Sequence, residues 1–219
     1  MTEFWESSFK EKQTMWGFEP ADSASMAVEL FRKNRLKKVL IPGFGYGRNA
    51  KVFIDNGLDV TGIEISETAI ALAHKHFGDT MKAYHGSVND MPFDNELYDG
   101  IFCYALIHLL NARERAKLIK NCYNQLTPGG YMVFVAVSKS YPTYGKGKKI
   151  SKDRFETMPG VKLFFYDTES VKKEFGKYGL TDLVEISEPV KNMENKSPLK
   201  FWFVTCKKTK ITADISGSY

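Results

Sequence analysis

The chain has 219 residues, 43% hydrophobic and 26% charged, with 31 Lys+Arg against 26 Asp+Glu and a formal net charge of +5. This composition suits one globular domain and excludes a wholly disordered chain or a fibre; no apolar run reaches the roughly 20 residues of a membrane-spanning helix. Cys103, Cys122 and Cys206 cannot all pair and none stands at metal-ligand spacing from another, so a reduced, cytoplasmic protein with no metal site is expected. The polar, acid-bearing start MTEFWESSFKEKQ is read as no secretory signal.

In chain order, Ala24, Val28 and Phe31 recur at helical spacing over 23–34, behind Pro20. A short apolar strand, 38–42, runs into glycines. A helix over 47–55 ends at Gly57, and 59–65 is the second strand. Ser66 caps a helix whose face is Ile70, Ala73 and Phe77. His74 and His76 on it point to different faces, which argues against a metal pair. Strands follow near 81–84 and over 98–105. Asn111 with Glu114 forms an asparagine variant of the capping box and opens a helix to about residue 126. Pro128-Gly129-Gly130 breaks it, and the nearly all-apolar 131–137 reads as a strand covered on both faces. A long polar loop, 139–155, leads to a helix capped by Asp167 or Thr168 that runs to 177. Strands 180–186 and 199–206 close the pattern.

Strand and helix in alternation mean an α/β domain with a mostly parallel sheet. Ligands bind such sheets beyond the carboxyl ends of the strands, so chemistry is sought there. The first strand ends in Gly43-Phe44-Gly45-Tyr46-Gly47-Arg48, where bare backbone turns tightly and can approach a ligand. A dinucleotide fingerprint needs glycine at its sixth position; counted from Gly43 that place holds Arg48, which argues against a nicotinamide oxidoreductase. One helix and one strand later stands Glu64, an acid placed to accept from two ribose hydroxyls. Loop and acid together point to a nucleoside-containing ligand.

With Gly86-Ser87-Val88-Asn89-Asp90-Met91-Pro92-Phe93, Asp99–His108 and Leu126-Thr127-Pro128-Gly129-Gly130-Tyr131, these segments resemble the ordered motifs of class I S-adenosylmethionine-dependent methyltransferases. Gly47-Arg48-Asn49 and Leu110-Asn111-Ala112-Arg113-Glu114-Arg115 look like the tellurite-resistance methyltransferases, and Pro42-Gly43 like the thiopurine and thiol methyltransferases. The resemblance implies a Rossmann-like seven-stranded, mostly parallel sheet with helices on both faces and the last strand antiparallel. One domain over 1–219 is expected, with an N-terminal lid and helix in 1–35, the core in 36–208 and, from its polarity, a flexible tail in 209–219.

The resemblance implies S-adenosylmethionine as methyl donor and S-adenosylhomocysteine as product. By position, Gly43 and Gly45 face the methionine part, Glu64 and the neighbouring Ile65 the ribose side, Ser87 and the Val88 N–H the adenine, and the Cys103 backbone the sulfonium end. Two acids usual in the superfamily are replaced, by Ile41 before the glycines and by Ser87 after the third strand; Ser87 or Asp90 is left to accept from the adenine amine. Glu64→Ala is expected to weaken cofactor binding with little change in folding.

On the acceptor side Tyr104 and His108 are the catalytic candidates, His108 as a base or as a packed residue. Trp16 and Tyr144 are the acceptor-binding candidates, one from an aromatic N-terminus that serves as a lid or packs on the sheet edge, the other from the 139–155 loop. The expected reaction is methyl transfer to a small molecule with a thiol or chalcogen nucleophile. The alternatives are a non-catalytic S-adenosylmethionine-binding module and an RNA methyltransferase. The net positive charge motivates the latter, but no Asn/Asp-Pro-Pro-aromatic motif follows the fourth strand, and nucleic acid and membranes are not the expected partners. The sequence leaves oligomeric state open.

Overall fold

The computed structural model describes residues 2–78, 80–189 and 198–209. Its helices are α1 (Thr2–Lys12), α2 (Asp22–Lys33), α3 (Arg48–Asp55), α4 (Glu67–Phe77), α5 (Ala112–Asn124) and α6 (Thr168–Phe175). Its strands are β1 (Lys38–Pro42), β2 (Asp59–Glu64), β3 (Lys82–His85), β4 (Tyr98–Tyr104), β5 (Leu126–Val137), β6 (Lys148–Ser151), β7 (Arg154–Met158), β8 (Val161–Phe164), β9 (Leu180–Glu188) and β10 (Leu199–Lys207). Seven of them form one sheet in the order β3-β2-β1-β4-β5-β10-β9. β1 to β5 pair in parallel, and β10 lies antiparallel between β5 and β9.

Side-chain alternation along the central strands feeds two cores, one on each face. Phe102, Val133 and Val135 pack with Phe31 of α2 and Phe53 of α3. Ile101, Cys103 and Phe134 face the other way, against Leu118 of α5 and Phe175 of α6. Each such phenylalanine, fully buried, contributes about 1.5–3 kcal/mol. The helix starts follow the local signals. Ser66 Oγ accepts the Ala69 N–H, and Asn111 and Glu114 close a capping box at the head of α5.

The long loop expected over 139–155 is corrected. After β5 the chain forms a second, antiparallel sheet in the order β6-β7-β8. Its strands have four or five residues, and β6 is exposed throughout, so the apolar signal that would mark them is too short to read. Only one side packs down, through Val161, Leu163 and Phe155. Of the N-terminal aromatics, Phe4, Trp5 and Phe9 lie on α1, which packs across α4, while Trp16 and Phe18 follow it. Of the expected tail, residues 210–219 lie outside the described residues. Among the described residues no helix is long and apolar enough to cross a membrane.

Candidate active site

β2 and β4 lie on opposite sides of β1, so the chain leaves β1 and β4 in opposite directions and a crevice opens at their carboxyl ends. The turn after β1 holds Gly43 at φ 70° and Gly45 at φ 61°, left-handed values that a side chain would strain. Glu64, at the end of β2, is only 6% exposed. Its Oε2 accepts the Gly45 N–H at 2.8 Å, and its Oε1 accepts the N–H groups of Ile65 (2.9 Å) and Ser66 (3.1 Å). Burial pushes its pKa up, while these three donors oppose the shift. The carboxylate therefore staples the glycine loop to the neighbouring strand. These three bonds argue against the expectation that Glu64 can be removed without cost to folding.

A cleft of about 560 Å³ runs from this staple to the second sheet. Gly43, Gly45, Glu64, Ile65, Ser87 and Val88 line its inner part, and Trp16, Tyr104 and His108 also line it. Ser87 Oγ accepts the Asn89 N–H at 3.2 Å and caps the short turn Val88–Asp90. Asp90 is exposed. Asn89, which sequence reasoning passed over, lines the cleft; its Nδ2 donates to Glu114, and its buried Oδ1 has no hydrogen-bond partner. No local pattern marks an orphaned acceptor, because its lack of a partner depends on α5.

The N-terminal segment lines one side. Trp5 and Phe9 of α1 line the cleft, and Trp16 stacks on Tyr46 with centroids 6.1 Å apart. Glu6 ties α1 to the head of α4: its carboxylate accepts the hydroxyls of Ser66 and Thr68, each at 2.6 Å, and these bonds hold its pKa down at about 2.

Two candidate side chains lie off the cleft wall, and His108 takes the packed alternative. Cys103 does not line the cleft: it is fully buried in the core behind β4, burial raises its thiol pKa, and Tyr104, Ala105 and Leu106 form the wall instead. Tyr144 lies off the cleft, its hydroxyl donating to Asp153 and its ring packed on Phe155 and Phe165; Tyr141 takes the place on the wall. His108 is packed rather than poised as a base. Its Nδ1 accepts the Val137 N–H at 3.3 Å, and burial lowers its pKa to about 3.

A depressed histidine pKa means the unfolded chain takes up the proton first. The stability it carries is complete above about pH 6.5 and is lost as pH falls toward 3. Between about pH 6 and pH 5 the protein should lose about 1 kcal/mol through this group, a window above the ordinary value of 4.5 from which the contribution of Glu6 begins to be lost as pH falls toward 2. Urea midpoints for wild type and His108→Asn check this; equal pH slopes would mean His108 is no such group.

Tyr104 is placed by residues far away in sequence. Its hydroxyl donates to Glu188 Oε2 at 3.0 Å, and Glu188 Oε1 accepts the Ser23 N–H at 2.6 Å. Burial is the largest cause of its raised phenol pKa, with Glu188 adding to it. Phe201, Val161 and Leu163 complete an apolar outer chamber.

The site fits S-adenosylmethionine in its donor set. A glycine turn leaves room beside a buried carboxylate, and the unpartnered acceptor Asn89 Oδ1 belongs to the same cleft.

A family profile described as "Methyltransferase domain" matches residues 40–134, which is β1 through most of β5. The chain is 27% identical over 158 residues to thiocyanate methyltransferase 1 of Arabidopsis thaliana, covering 69% of each. In structure it resembles 1,6-didemethyltoxoflavin-N1-methyltransferase of Burkholderia thailandensis, at TM-score 0.72 and 17% identity, covering 95% of this chain and 87% of that one. It also resembles TehB from Haemophilus influenzae, at TM-score 0.63 and 21% identity, covering 94% and 67%. The solved structures share the fold, and residues 40–134 match the methyltransferase domain, so over that span the chain is a methyltransferase domain similar to the class I S-adenosylmethionine-dependent methyltransferases.

Proposed function

We propose that the chain methylates a small molecule through a soft nucleophilic atom, a thiol or a chalcogen anion. The observation that carries this reading is the lack of a suitable base among the described residues of the outer chamber. His108 is neutral with Nδ1 occupied, and Tyr104 keeps its proton on Glu188. Bound S-adenosylmethionine supplies a methyl group already activated on a sulfonium sulfur. An acceptor that is ionised at working pH needs only alignment and exclusion of water, whereas an amine or hydroxyl needs a base. The Arabidopsis relative, named for thiocyanate, supports the same direction.

In this reading Glu64 Oε2 keeps a lone pair for a ribose hydroxyl, and Asn89 Oδ1 and the Val88 N–H read adenine. Ile65 and Ser87 flank the base, and Gly43 and Gly45 leave room for the methionine end. Trp5, Phe9 and Trp16 shut out water. Thiols, chalcogen oxyanions, small amines and RNA should be screened, with S-adenosylhomocysteine as readout. Turnover on thiols or chalcogen anions is expected, with His108→Asn keeping most of it. Turnover confined to amines, or to RNA, would refute the reading.

A further inference from the structure

Among the described residues the cleft is lined by one lysine or arginine, and it has no ion pair within 4.0 Å. Arg48, the first residue of α3, lines the cleft. Its guanidinium carbon lies 5.9 Å from the centroid of the Tyr104 ring, and its Nη1 donates to the Glu19 carbonyl at 3.0 Å. Those contacts position the head group without neutralising it. Among the described residues Arg48 forms no ion pair within 4.0 Å. The buried carboxylate beside Tyr104, Glu188, is engaged by the Tyr104 hydroxyl and the Ser23 N–H.

A guanidinium carries five N–H donors in a rigid fork, and the carbonyl of Glu19 takes one of them. The cleft that Arg48 lines is otherwise walled in large part by apolar and aromatic groups, among them Phe44, Tyr141, Val161, Leu163 and Phe201. Apolar walls focus the field of an uncompensated charge into the cavity and raise the local concentration of counter-charge. Aromatic and aliphatic walls also suit an anion that is large, polarisable and weakly hydrated.

We propose that Arg48 selects the acceptor by charge, so that the chamber takes small sulfur or selenium anions in preference to neutral nucleophiles of the same size. This rests on the soft-nucleophile reading above and deepens it. The step balances without a proton. The acceptor's lone pair forms the new bond to the methyl carbon, the carbon–sulfonium bond breaks, and its electron pair stays on the donor sulfur. Anion and cation become two neutral molecules.

That charge balance sets the kinetic signature. The negative charge on the acceptor fades as the bond forms, so Arg48 holds the ground state at least as well as the transition state. Losing it should then raise KM for the acceptor with little loss of kcat. Removing a hydrogen bond to a charged partner corresponds to about 10- to 100-fold.

The test uses the full chain, with sodium thiocyanate and sodium hydrosulfide as acceptors and dimethyl sulfide as a neutral soft comparator. Calorimetric binding of thiocyanate to the S-adenosylhomocysteine complex is measured in parallel. Arg48→Gln and Arg48→Met, two uncharged replacements with different packing, guard against a folding defect in either one. Both should raise KM and Kd for thiocyanate about 10- to 100-fold while leaving KM for S-adenosylmethionine unchanged. Arg48→Lys, which keeps the charge, should recover most of the loss. Unchanged anion binding in folded variants would overturn the proposal. So would a defect confined to KM for S-adenosylmethionine, which would place Arg48 on the methionine carboxylate, and so would a wild-type complex that binds neither anion. If only amines or hydroxyls turn over while thiocyanate still binds in an Arg48-dependent way, the charge selection stands and the soft-nucleophile reading falls.

Discussion

Glu64→Ala should cost the protein cofactor affinity and stability together. The substitution strips acceptors from the N–H groups of Gly45, Ile65 and Ser66 at a site that is 6% exposed. Each donor left unsatisfied costs about 1–3 kcal/mol, partly relieved where water enters, so a net loss of about 3 kcal/mol is expected. For a domain of this size that lowers Tm by about 6–12 °C. Affinity for S-adenosylmethionine should fall at least about 100-fold, because the ribose partner is lost and the glycine turn is no longer held. Glu64→Gln keeps one acceptor oxygen and should recover part of the stability but little of the affinity. Calorimetry on both variants separates the effects. An unchanged affinity in the folded fraction would make Glu64 a purely structural staple.

Arg115→Ala should be as damaging to the fold and harmless to the cleft. Nε and Nη2 of Arg115 hold the Glu174 carboxylate, with the shortest contact 2.8 Å, and Nη1 donates to the Leu110 carbonyl. The guanidinium carbon sits 3.8 Å from the centroid of the Phe164 ring, and Tyr166 donates to the same carboxylate. One side chain thus joins α5, α6 and the end of β8. Breaking a buried pair by removing one partner costs about 3–5 kcal/mol, here a fall in Tm of about 6–20 °C. Arg115→Lys should not rescue it, since an ammonium lacks the fork and the stacking face. The double variant Arg115→Met/Glu174→Leu should recover most of the loss. A single variant with wild-type Tm would show that the pair is dispensable. The Asn-Ala-Arg-Glu-Arg run, which in sequence points toward a chalcogen acceptor, thus has at least one residue engaged in the frame rather than in the cleft.

His108 shows why the catalytic side was harder to read than the cofactor side. A histidine just after a strand end is compatible with a base or with packing, and pattern does not separate the two. The separation came from burial and from the Val137 N–H on Nδ1, contributed by a neighbouring strand. Tyr144 failed for a related reason. Spacing placed an aromatic in the segment after β5, but only the fold of β6 to β8 decided that Tyr141 would turn into the cleft and Tyr144 toward Asp153.

The order of strands and helices, the glycine turn, the acid at the end of β2 and the capping box of α5 were all readable along the chain. Each is a local pattern: a period of two or 3.6, a cap with its partner three residues on, a turn that needs glycine. The outer chamber is not local. Tyr104 meets Glu188 across 84 residues, and Glu188 meets Ser23 across 165. Arg48 draws its contacts from the N-terminal segment and from β4. Which polar groups there are paired, which are left open and which charge stands unneutralised depends on how distant elements pack, and that packing arises only when the sheet closes.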